Sequence, residues 1–173
     1  MRSTDTLGRI ATADPNVPHI LGKSVMNPNG TISEILSVKG NKAWSISPEA
    51  TVFDAIALMA EKNVGALLVT ENGKLVGIIS ERDYTRKVAL KGKSSKQTAV
   101  KEILSGQVIH VTPDHTVEEC LRLMTDHRIR HLPVLQEDAI VGVVSIGDLV
   151  NWIISAQNST IHQLQTYISG YPA

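Results

Sequence analysis

Cysteine is nearly absent: Cys120 stands alone in 173 residues, so no intrachain disulfide can form. That usage suits a reducing compartment, and the cytoplasm is the expected one. Aromatic residues make up only 3% of the chain, which gives little material for stacking bases in a single-strand groove. No sign of charge dominates, because 17 Lys and Arg face 17 Asp and Glu. A broad electrostatic footprint for nucleic acid or an anionic membrane is thereby excluded, whereas a local basic pocket is not. No apolar run approaches the roughly 18–20 residues that span a bilayer. The first thirty residues lack the apolar core of a secretory signal and are turn-rich, as in Asn27-Pro28-Asn29-Gly30. They read as a loose arm over 1–30. Arg2 and Arg9 among Ser and Thr faintly resemble an organellar presequence, and Asp5 with Asp14 count against it.

What the chain does have is aliphatic residues in a repeat. Position i set against i+65 gives Pro48/Pro113, Thr51/Thr116, Val52/Val117, Leu58/Leu123, Met59/Met124, Leu67/Leu132, Val69/Val134 and Val76/Val141. The series closes on Gly77/Gly142, Ser80/Ser145 and Asp83/Asp148. Upstream, TISEIL (31–36) is echoed by AVKEIL (99–104) at a slightly different offset. Two copies are too few for a solenoid, so a closed pair related by a pseudo-two-fold axis is expected.

Each copy spells the same elements. A short helix (Ile32–Leu36; Val100–Leu104) precedes a strand near Trp44–Ile46 or Val108–Val111. Thr51 and Thr116 are predicted N-caps of helices whose apolar residues recur at three-to-four spacing. Short apolar runs at Ala66–Thr70 and Leu132–Leu135 suit buried strands, and Asn72-Gly73 signals a hairpin into Leu75–Ile79, matched by Ile140–Val144. A second helix then begins near Asp83 or Asp148. The order is β-α-β-β-α, twice, within an α/β fold. The predicted bounds are 31–90 for the first copy, 91–98 for a linker and 99–155 for the second copy. A final amphipathic helix and tail fill 156–173, with Ile161, Leu164 and Ile168 on one helix face.

The duplicated Ser and Asp are not core residues. As capping residues, Ser80 or Ser145 would hold a helix N-terminus, with the aspartate in its first turn. As ligand residues, a carboxylate at the carboxyl end of a strand would accept the two hydroxyls of a ribose. Cations bear on the second reading. Arg82 precedes Asp83, while Arg130 and His131 replace Gly65 and Ala66 of the first copy. A guanidinium and an imidazole beside a buried strand are costly unless an anion, such as phosphate, sits there. His127 and Arg128 read instead as a solvated helix end.

These residues carry a resemblance. Ser47-Pro48 with Thr112-Pro113, the HRIRHLPV stretch (127–134) and both G-h-h-S-x-x-D endings resemble tandem CBS motifs, the Bateman module, over about Thr31 to Ile154. The wording SERDYTRKV (80–88), GKSS (92–95) and VSIGD (144–148) is similar to stand-alone bacterial CBS-pair proteins and plant organellar ones. The resemblance implies two clefts between the repeats that take adenosine-containing ligands: AMP, ADP, ATP, S-adenosylmethionine or NAD. In the first, Ser80 and Asp83 would hold ribose, Ile109 and Ile129 would flank adenine, and Arg82, Arg130 and His131 would meet phosphate. In the second, Ser145 and Asp148 would hold ribose, with Trp44, Val64 and Gly65 beside the base. Gly147 stands where the first cleft has Arg82, so phosphate binding is expected to be weaker there.

Other chemistries fit poorly. Gly92-Lys93-Ser94 mimics the end of a P-loop, yet the glycine that motif needs five residues earlier is Lys87. His127 and His131 are four apart, but Arg128 and Arg130 beside them repel a metal cation. Cys120 aligns with Ala55 in a helix interior and reads as a small buried hydrophobe. No nucleophile, base and orienting group are readable together, so no enzyme activity and no metal are expected. The expectation is a regulatory module sensing AMP or NAD(H), paired as a homodimer and acting on an effector protein. The alternatives are a ligand-free assembly module or a nucleotide hydrolase.

Overall fold

A computed structural model describes residues 27–104 and 106–168. Residues 1–26 of the expected arm and the tail beyond 168 lie outside the described residues. The elements are α1 (Ile32–Lys39), β1 (Ser45–Ile46), α2 (Val52–Lys62), β2 (Ala66–Glu71), β3 (Lys74–Ser80) and α3 (Glu81–Lys87) in the first half. The second half holds α4 (Val117–Asp126), β4 (His131–Gln136), β5 (Ala139–Ser145) and α5 (Ile146–Ile168). Single 3-10 turns at Ala89–Lys91 and Val100–Glu102 join them.

The caps form as the sequence predicts. Thr51 accepts from the Asp54 amide at 3.1 Å and Thr116 from the Glu119 amide at 3.3 Å. In both, the acidic residue reaches back to the threonine backbone, completing a capping box. Strands β2 and β3 pair antiparallel across Asn72-Gly73, whose positive φ values of 50° and 77° give the twist a two-residue hairpin needs. Strands β4 and β5 repeat this pairing, and both hairpins shift register at the equivalent step, Val69/Thr70 and Val134/Leu135. Strand β1 adds in parallel to β2.

The two halves are not independent lobes, because each copy's leading segment packs into the other copy's core. Ile32, Ile35 and Leu36 of α1 lie buried with Val117, Cys120, Met124, Leu132 and Val144. Val100 and Ile103 lie buried with Val52, Met59, Leu67 and Ile79. Backbone bonds fix the exchange: the Ile32 amide donates to His115 O at 2.9 Å, and the Val52 amide to Thr98 O at 2.9 Å. Glycine makes it possible. A Cβ at Gly77 would lie 2.8 Å from Leu104 Cδ1, and one at Gly142 would lie 2.8 Å from Leu36 Cδ2. Both glycines sit inside their strands, paired with Val69 and Val134.

Three expectations are corrected. The strand at Val108–Val111 reduces to one parallel bridge, Val111 to Val134, secured by the Val111 amide on Pro133 O at 3.0 Å. The helix at Val100–Leu104 is only a 3-10 turn, since Gly106 follows two residues sooner than Gly40 follows the matching stretch. The final helix is not separate: α5 runs unbroken from Ile146 to Ile168, with no glycine or proline between Asp148 and Ile168 to break it.

Candidate functional site

A cleft of about 320 Å³ opens between the copies, within the range of small-molecule sites. Strand β3 and the start of α3 supply Ile78, Ser80, Arg82 and Asp83; the second copy supplies Ile109, Ile129, Arg130 and His131. All seven residues predicted for the first cleft thus line one cavity.

Ser80 and Asp83 form a capping box at the head of α3. The Asp83 amide donates to Ser80 Oγ at 3.3 Å, and Asp83 Oδ2 accepts from the Ser80 amide at 3.0 Å and its hydroxyl at 2.6 Å. Asp83 Oδ1 faces Lys87 Nζ at 2.9 Å. The capping reading is therefore real. It leaves Asp83 half-buried on the cleft wall, its carboxylate fixed at the carboxyl end of β3.

The cations need a correction. Arg130 is exposed, so no burial cost is attached to its guanidinium. His131 is half-buried, and burial, aided by the charges of Arg130 and Lys39, pushes its imidazole below the ordinary value. His127 and Arg128, read from sequence as a solvated helix end, are exposed and still line the cleft. Arg128 follows the last turn of α4 with φ at 54°, and its carbonyl accepts from Arg82 Nη1 across the cleft at 2.8 Å. The linker lysines do not line this cavity. Lys96 instead lies 5.0 Å from the Phe53 ring centre.

Sequence reasoning passed over Arg86 and Lys87, which also line the cleft. The signal was present, since they stand one helical turn beyond Arg82 and Asp83.

The second set is not gathered in the same way. The cavity beside Asp148, about 210 Å³, is lined by Ile35, Lys39, Asn151 and Trp152 among others, without Trp44, Val64, Gly65 or Ser145. Ser145 and Asp148 do form the matching capping box, with Asp148 Oδ2 accepting from the Ser145 hydroxyl at 2.8 Å. Lys39 from α1 then seats on the same carboxylate and donates to Val143 O at 2.9 Å. Burial opposes the Asp148 charge, but hydrogen bonds from Lys39 and Ser145 outweigh it and hold the carboxyl below its ordinary value. Trp44 lies elsewhere, under Lys62 Nζ at 4.5 Å from its ring centre, and Val64 packs on the first core. Gly65 lies beside His131, whose Cε1 would stand at ordinary contact distance, 3.4 Å, from a Cβ there.

Among the described residues no group of three metal-ligating side chains occurs, and no helix is long and apolar enough to cross a membrane. Cys120 is buried, and its thiol is pushed up to about 12 by burial and the nearby Glu119.

Two interlocked copies, each a helix and a β-hairpin followed by a second helix, the first led by a short strand and the second by a single bridge, with a cleft between them, define the architecture of a Bateman module. The chain belongs to the CBS domain family, which it matches over residues 25–90 and 100–155. It is 41% identical over 150 residues to CBSX3, a CBS domain-containing protein of Arabidopsis thaliana described as mitochondrial. That match covers 81% of this chain and 72% of the relative. A protein with CBS domains from Burkholderia ambifaria, described as a candidate signal-transduction protein, shares 46% identity. Its solved structure superposes with a TM-score of 0.70, covering 73% of this chain and 95% of its own. The CBS domain pair of MJ0100, solved with 5′-methylthioadenosine and S-adenosyl-L-methionine, aligns with a TM-score of 0.65 over 74% of this chain and 98% of that one. At 23% identity that likeness is one of fold. The family matched is a domain family and indicates no enzyme class.

Proposed function

We propose that this chain is a regulatory module that binds an adenine nucleotide between its repeats and alters a partner protein according to occupancy. One observation carries the reading: Ser80, Asp83, the aliphatic Ile109 and Ile129, and several cations line one cleft. In this reading Asp83 and Ser80 take the ribose hydroxyls, Ile109 and Ile129 flank adenine, and Arg82, Arg130 and His131 meet phosphate. The Asp83–Lys87 pair does not bar the ribose. An i,i+4 helix pair is worth about 0.3–0.5 kcal/mol, little beside the binding energy of a nucleotide. The same fold in MJ0100 holds adenosine-bearing molecules, which supports the ligand class.

AMP and NAD(H) head the ligands to test, followed by ADP, ATP and S-adenosylmethionine. Ligand binding favours one of two arrangements, and the difference in affinity is the signal. A homodimer through the apolar repeat helices is part of the proposal; Phe53, Val150 and Ile154 are exposed at 46%, 43% and 49%. A cytoplasmic setting is proposed as well.

Thermal shift with each nucleotide tests the reading, because ligand at a hundred times its dissociation constant adds about 2.7 kcal/mol. The shift is expected in the wild type and lost in Asp83→Ala. No shift with any adenosine compound removes the sensor reading. A second reading, a ligand-free assembly module, is favoured by the completed Ser–Asp capping boxes. It predicts that Asp83→Ala lowers stability without touching any ligand response.

A further inference from the structure

The charges in the first cleft are unevenly shared. The chain as a whole is neutral, yet Arg82, Arg86, Lys87, Arg128 and Arg130 line this one cavity against a single acid, Asp83. Lys87 pairs with that acid. The four arginines remain, and among the described residues none lies in an ion pair with a carboxylate. Two of them come from one face of α3, a turn apart, and two from the segment after α4, so the positive charge converges from both copies. Arg82 also stands in the first turn of α3, where the helix dipole disfavours a cation. Its side chain donates to the Arg128 carbonyl, which cannot neutralise it.

We infer that the ligand of this cleft is an adenosine di- or triphosphate, in preference to a monophosphate or to S-adenosylmethionine. The inference rests on the nucleotide reading above and narrows it. One terminal phosphate brings about −1.5 to −2 charges, which leaves much of four guanidiniums uncompensated. Each further phosphate adds negative charge and oxygens that the arginine fork grips in pairs. S-adenosylmethionine brings a sulfonium cation, which these arginines repel. Arg86 and Arg128 are assigned to the outer phosphates, beyond the one met by Arg82, Arg130 and His131.

Calorimetry with adenosine, AMP, ADP, ATP, S-adenosylmethionine and inorganic tripolyphosphate, without divalent cations and at low and high salt, tests this. Each added phosphate is expected to tighten binding about tenfold, and the gain is expected to shrink as salt rises. The double variant Arg86→Gln with Arg128→Gln is expected to narrow the gap between ATP and AMP. Equal affinity for AMP and ATP, or tighter binding of S-adenosylmethionine, overturns the inference while the adenosine reading stands. Tripolyphosphate binding as tightly as ATP upholds the polyphosphate site and removes the adenosine reading. No binding by any of the six removes the polyphosphate inference, and no thermal shift with NAD(H) besides removes the adenosine reading too.

Discussion

Substituting Gly142 by alanine tests the interlocked core directly. Its backbone needs no positive φ, so the only obstacle to a Cβ is Leu36, with Cδ2 at 2.8 Å and Cδ1 at 3.2 Å. Leu36 is buried at 6% exposure and cannot swing into water to make room. Overpacking of this kind costs about 1–3 kcal/mol. Leu36→Ala alone removes a buried side chain and costs about 2–5 kcal/mol. In the double variant the new methyl occupies space that the leucine has vacated, so the two losses are not additive. A coupling of about 0.5–3 kcal/mol, stabilising relative to the sum, is expected in urea unfolding of the two singles and the double. The crossed control pairs Gly142→Ala with Leu104→Ala, whose side chain packs on Gly77 in the other core, and is expected to be additive within about 0.5 kcal/mol. Additivity of the Leu36 pair, or coupling of the Leu104 pair, would refute the exchange of leading segments between copies.

Two further outcomes follow from buried titratable groups. Cys120, buried and with a thiol pushed up to about 12, is expected to resist iodoacetamide in the native protein and to react once urea unfolds it. Fast native labelling would contradict its place in the core. His131 has its imidazole lowered by burial, so the folded state holds it neutral while the unfolded chain protonates it near the ordinary value. Its contribution to stability is present above that value and lost as pH falls below it. Melting temperature against pH is expected to drop in that window, and less so in His131→Gln; identical profiles would place the imidazole in water.

The repeat made most of the fold legible, because copies that agree at core and cap positions define the elements twice over. Thr51 and Thr116 are capping residues in any context, and Asn72-Gly73 has few conformations to choose from. The exchange of α1 and Val100–Glu102 between copies was not legible. Nothing in TISEIL or AVKEIL says which of two similar cores it enters, and the choice rests on connection lengths and on the notch at each glycine. For the site, residues fixed by strand ends and helix starts came together as the register requires, Ser80 and Asp83 with Ile109 and Ile129. His127 and Arg128 are solvated at a helix end, as their sequence position suggests, but that position does not reveal that they also border the cleft. Here the left-handed turn at Arg128 carries its carbonyl to Arg82 of the other copy.

Duplication supplies two equivalent Ser–Asp boxes, and substitution then separates them. The first box meets arginines from both copies: Arg82 and Arg86 on its own helix, Arg128 and Arg130 across the cleft. The second has Gly147 in place of Arg82, and Gly65-Ala66 where the first cleft meets Arg130-His131. Without those cations its carboxylate takes its charge partner from inside the fold, and Lys39 reaches it because α1 has crossed into the second copy's core. A ligand at the second box would have to displace Lys39 from Asp148 and from Val143 O together, with no arginine among the residues lining that cavity. At the first box Lys87 is held in the same double way, by Asp83 Oδ1 at 2.9 Å and by Ile103 O at 2.7 Å, but it stands at the edge of an arginine cluster that an incoming polyanion neutralises. What makes the two boxes unequal is therefore the arginine cluster, which lines the first cleft and not the cavity beside Asp148.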